Sequence, residues 1–158
     1  MKRTFLFPHR YKKVGWLLLL PSFMIGLFSL ILEWEPTWLD CSVPAIFIDE
    51  VFGQSELIGV VKNNVLNEIC GILIIVGGIL VAFSKEKVED EFIAKLRLES
   101  LVWATYVNYT ILLLAMVLVY DFSFFWVMIF NMFTTLIIFI IRFNWMIAKL
   151  KKNLRNEE

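Results

Sequence analysis

The sequence predicts an all-α integral membrane protein, a four-helix bundle with an acidic extracytoplasmic connection and a cytoplasmic helix extension. Three observations predict it. Apolar runs recur near 14–32, 66–84, 101–120 and 122–141, and the first, third and fourth carry no formal charge over nineteen or twenty residues. That length suits the roughly 30 Å of hydrocarbon in a bilayer. Fourteen of the fifteen Lys and Arg residues fall in the N-terminal segment, the 85–97 connection and the tail after 141. The six tryptophans cluster near the ends of these runs, where indoles favour headgroup level.

Composition agrees with one membrane domain over 1–158. Of 158 residues, 59% are hydrophobic and the mean hydropathy is +0.75, above the apolar share of soluble domains. Formal net charge is zero, which implies no direct nucleic-acid partner. Cys41 and Cys70 have neither metal spacing nor the makings of a disulfide framework.

The first helix follows Lys2, Arg3, His9, Arg10, Lys12 and Lys13 and spans 14–32, with Pro21 inside it. The run exceeds a signal-peptide h-region and no small-x-small cleavage site follows, so it reads as retained. Residues 33–68 carry seven acids and one base, Lys62. Within them Trp34-Glu35-Pro36-Thr37-Trp38 reads as an interfacial turn. Ile48, Val51 and Phe52 predict a short surface helix over 45–52. A second helix is expected from Ser55 through Leu57, Ile58, Val61, Val65 and Ile69 into the second span.

Residues 85–120 hold no Pro or Gly and read as one helix, half in water and half in lipid, roughly 50 Å long. Asp121 alone turns the chain into the fourth span, making an antiparallel helical hairpin. The basic tail is expected to fray at its end. Positive-inside bias then places both termini and 85–97 in the cytoplasm and 33–68 outside.

No span carries an Asp, Glu, Lys, Arg or His in its interior, which argues against proton relays and ion-coupled transport. No catalytic motif is present, so neither an enzyme nor a cofactor is expected. Among the uncharged polar residues within the spans, Ser22, Asn108, Tyr109, Asn131, Thr134 and Thr135 form a candidate intramembrane layer. Ser22, Asn108 and Thr134 come out at a depth of roughly 10–14 Å from the inner edge. One reading is a ligand or ion site. The favoured one is interhelical hydrogen bonding, since no charge converges there. Gly71, Gly78 and Ala82, with Gly77, give the second helix a smooth face for helix packing, within the monomer or in a homo-oligomer. Cys70 reads as a small buried apolar residue.

The charged segment before the third span offers a candidate partner surface. Glu91, Lys95 and Glu99 form an i, i+4 ladder. Glu89, Asp90 and Glu91 sit at the predicted helix start, where acids match the positive dipole end. The competing reading is a solvated helix extension.

Asp90, Glu91, Ile93, Leu96 and Arg97, followed by Asn108 and Tyr109, resemble the start of the third span in small uncharacterised four-span bacterial membrane proteins. Several such families are encoded beside a helix-turn-helix regulator. The resemblance implies a bacterial cytoplasmic membrane and a non-enzymatic interaction or regulatory component with a cytoplasmic protein partner. The alternatives are a self-assembling pore or membrane-disrupting effector and, less favoured, a small-molecule transporter.

Overall fold

The computed structural model describes residues 5–48 and 56–156. Lys2, Arg3, the stretch 49–55 and Glu157–Glu158 lie outside the described residues. Four helices account for most of the chain: α1 (Arg10–Leu32), α2 (Leu66–Ala82), α3 (Glu91–Leu118) and α4 (Phe122–Asn156). Three of them, α1, α3 and α4, are long and apolar enough to cross a membrane. At 17 residues, α2 is shorter, about 26 Å by helical rise.

The connection after α1 is not helical. Strands β1 (Asp40–Ile48) and β2 (Glu56–Asn64) pair antiparallel, with Val43 opposite Val61 and Ile46 opposite Ile58. This corrects the surface helix expected over 45–52, of which 49–52 lie outside the described residues, and the helix expected from Ser55. The apolar spacing there was too short to separate a 3.6 period from a 2.0 period. Val43, Ile46, Ile58, Val60 and Val61 are β-branched and pack well on a pleated surface. Pro44 fits an edge strand, which needs no donor on its open side.

Asn64 fastens the base of the hairpin. Its amide donates to Pro36 O at 2.8 Å and to Asp40 Oδ1 at 2.7 Å, and its Oδ1 accepts from Leu66 N–H at 3.2 Å. One side chain thereby ties the hairpin to the first turn of α2, satisfying an orphan donor there.

The extended helix over 85–120 is also corrected. Residues 83–90 form a turn, and α3 starts at Glu91 with Asp90 as its N-cap, accepting from Ile93 N–H at 2.8 Å. An N-cap needs non-helical backbone, so Asp90 ends the turn as it opens the helix. Conversely, α4 runs unbroken for 35 residues, well past the fourth apolar run; the end of the tail, where fraying is expected, falls at Glu157–Glu158, outside the described residues. Ile147 is buried and Leu150 packs beside it in the core that also holds Ile93 and Leu96. Tertiary packing carries the tail as helix.

Packing joins α1 to α2, α2 to α4, and α4 to α3. The order is a row rather than a closed ring. Along α1, Gly15, Leu19, Ser22, Gly26 and Ser29 are buried at spacings of 4, 3, 4 and 3, forming the stripe that meets α2. A Cβ on Gly15 would stand 2.8 Å from Gly77 O, and one on Gly77 would stand 2.8 Å from Leu19 N. The backbones touch there, as small residues permit in a membrane. The buried core sits at the N-terminal end of α1, where Leu19, Val81, Ala82, Ile93, Leu96, Ala104, Phe139 and Phe143 meet.

Candidate functional site

The densest chemistry lies against that core, where the N-terminal strap, the 83–90 turn and the start of α3 converge. Phe7 N–H donates to Phe83 O and Lys85 N–H to Phe7 O, both at 2.9 Å. His9 Nδ1 donates to Lys85 O at 2.8 Å, and Lys12 pairs with Glu86. Four contacts thus strap residues 7–12 across the turn.

Arg97 lies beneath this strap, 7% exposed. Its Nη1 donates to Glu89 Oε1 at 2.6 Å and its Nη2 to Glu89 Oε2 at 3.1 Å, with Ser84 O a further acceptor at 3.3 Å. The guanidinium stands 5.0 Å from the Phe143 ring centroid, and Lys12 Nζ stands 5.8 Å from it. Phe143 stacks on Phe139, and Phe139 on Phe83. A two-pronged ion pair on an aromatic stack is a well-determined geometry. Burial alone pushes Glu89 up. The hydrogen bonds from Arg97 and the Glu86 N–H, with the charges of Arg97 and Lys85, hold its carboxyl below the ordinary 4.5.

The candidate partner surface divides accordingly. Glu89 is turned to Arg97 and Asp90 caps α3. Lys95 is exposed and stands 3.9 Å from Glu99, an open i, i+4 pair, and Glu91 is exposed at the first turn. The triplet is therefore not one continuous acidic face.

The intramembrane polar residues are brought together only in part. Asn131 Nδ2 donates to Asn108 Oδ1 at 3.0 Å, joining α3 to α4. Thr134 donates to Phe130 O of its own helix. Ser22 is buried on the α1 stripe, Thr135 is half-buried and Tyr109 is exposed. Of the packing residues, Gly78 faces Leu136 of α4, Ala82 is buried and a Cβ on Gly71 would meet only the Phe133 ring, at 3.7 Å. Cys70 is buried.

Sequence reasoning passed over His9, Lys12, Glu86 and Arg97 as site residues. The signal available was a charge count: Lys12 and Glu86 lie 74 positions apart and are joined only by the fold. Gly15 was also missed as the partner of Gly77, because its spacing to Leu19 lacks a second small residue.

At the C-terminal end of α4, beyond Phe143, Lys149, Lys151, Lys152 and Arg155 are all exposed on helix. Arg142 lies over the Trp103 ring, 4.3 Å from its centroid, and marks the boundary where these bases begin. No protein family, curated protein or solved structure matches this chain.

Proposed function

We propose that the chain is a non-enzymatic component of a bacterial cytoplasmic membrane that crosses it four times with both termini inside and docks a cytoplasmic protein. The observation that carries this reading is the continuity of α4 to Asn156. From Arg142 to Arg155 is thirteen residues, about 20 Å of helix. The headgroup layer on one side of a bilayer is only about 5–7 Å thick. Arg155 therefore stands roughly 13 Å clear of it, beyond the roughly 8 Å Debye length at physiological salt. A base held as far out as Arg155 is poorly placed for lipid phosphates and well placed for an acidic protein surface. Because Glu89 and Asp90 are engaged within the chain, the docking surface is placed on α4 rather than on the acidic triplet.

The helix is stiffened by Ile147 and Leu150 packing against α3, which lowers the ordering cost of binding. Charges of this kind steer encounter, so the interaction weakens with salt. A photo-crosslinking phenylalanine derivative at Lys152 tests it in living cells. The reading predicts one discrete protein adduct from Lys152 that is lost when Lys149, Lys151 and Arg155 are changed to Gln. An adduct only from the same probe at Lys95 would return the surface to α3, and adducts only with lipid would end the reading.

A further inference from the structure

Where α1 and α2 meet α4, the helices close only at one end. A Cβ built on Gly78 would meet Leu136 Cγ at 3.1 Å and Leu19 Cδ1 at 3.4 Å, so this level is shut. Toward the hairpin the helices part and leave a cavity of about 470 Å³. It runs from Leu30 to Phe23 along α1, from Asn67 to Ile74 along α2 and from Trp126 to Ile137 along α4. Gly71 helps to make the room, because its absent side chain leaves the Phe133 ring as the nearest wall.

We infer that this cleft binds one acyl chain of a membrane phospholipid, drawn from the leaflet on the hairpin side. Length carries the first step. Phe23 to Leu30 on α1 and Asn67 to Ile74 on α2 each cover about 10 Å of helix from the hairpin end of the span, within the roughly 15 Å depth of one hydrocarbon leaflet. Gly78 and Leu136 close the cleft below this level. Closure carries the second. Gly78 and Leu136 stop the cleft partway across the membrane, so a helix from a second copy, which needs the full membrane depth, finds no room, whereas a single extended chain entering from one leaflet does.

Chemistry carries the third. The deep walls are aliphatic and aromatic, and Thr134, the polar residue among them, spends its hydroxyl on Phe130 O at 2.8 Å. Polar donors gather at the mouth instead. Asn67 is exposed there beside Ser29, whose Oγ donates to Asn67 Oδ1 at 3.3 Å, and Trp126 is half-exposed with its indole N–H. Amide and indole donors at headgroup level suit the ester carbonyls of a phospholipid. A volume of this size, apolar with a few polar groups at one end, matches small-molecule sites between helices. Phe23, Leu27 and Phe130 are each about half-exposed along the lateral opening, so a chain enters sideways from the bilayer.

The test uses the full chain in nanodiscs containing a phospholipid with a mid-chain diazirine, followed by peptide mapping of the adducts. The inference predicts labelling of Ile74, Phe133 and Ile137 several-fold above that of Leu113 and Leu114, which are exposed on α3 and lie outside this cleft. Gly71→Leu fills the space from α2 and Thr134→Phe fills it from α4, and either abolishes the excess. The wild-type distribution stands alone as a test if either variant fails to fold. Equal labelling of cleft and α3 positions would overturn the inference. So would an excess produced only by a free diazirine fatty acid, or a cross-link from Phe133 to a second copy of the chain.

Discussion

Arg97 grips Glu89 with both Nη atoms, at 2.6 and 3.1 Å, and in doing so ties the first turns of α3 to the segment that precedes it. Side-chain exposure is 9% for Arg97 and 19% for Glu89, so the pair behaves nearer to a buried bridge than to a surface one. Glu89→Ala is expected to cost about 3 kcal/mol in detergent, because it strands a buried guanidinium. Replacing both partners, Arg97→Met with Glu89→Leu, should cost clearly less. A double-mutant cycle on thermal unfolding checks this.

The same pair sets an acid limit. Glu89 titrates below its ordinary 4.5 in the folded chain, so its stabilisation is fully present above that pH. It is lost as pH falls below about 4.5 and through the folded value. Melting temperatures recorded downward from pH 6 should fall in this window. Glu89→Gln should start less stable and show a flatter descent.

Steric contact at the α1–α2 crossing gives a contrast between glycines. A Cβ at Gly15 or Gly77 lies 2.8 Å from backbone atoms of the facing helix, whereas one at Gly71 lies 3.7 Å from a ring edge. Gly77→Ala and Gly15→Ala are expected to cost about 1–3 kcal/mol through overpacking. Gly71→Ala should be neutral or stabilise by up to about 1 kcal/mol, as alanine suits a helix interior better than glycine. Unfolding in a mixed-detergent titration ranks the three.

The Asn108–Asn131 bond is expected to contribute about 0.6 kcal/mol, the typical value for such bonds within membranes. Asn131→Leu should therefore leave the protein inserted and slightly destabilised, with partner capture through the photo-probe at Lys152 unchanged. A loss of capture without loss of stability would assign the pair a role beyond packing.

The helices were legible in the sequence because three of the spans combine length with an absence of charge, and α1 and α4 begin or end where those runs do. What hydropathy conceals is continuity. Asp90 interrupts what looked like a single helix because a short carboxylate prefers to cap, and the basic tail stays helical because Ile147 finds α3. The hairpin was hidden by Pro44 and Gly59, which blur the alternation of β1 and β2. At the candidate site, Asp90 and Glu91 were visible as a charged helix start. The strap of His9 and Lys12 over Lys85 and Glu86 was not, since pairs more than 70 positions apart leave no local pattern.

Cytoplasmic docking by α4 requires the hairpin and the charged strap to lie on opposite sides of a membrane. Cys41 is exposed in β1 and Cys70 is buried in α2, so the chain carries its own probe. A membrane-impermeant maleimide applied to intact cells should label Cys41. In a Cys41→Ser background, Arg155→Cys should react only after the cells are opened. Labelling of Arg155→Cys from outside, or of Cys41 only after lysis, would contradict the four-span orientation and the cytoplasmic docking surface with it.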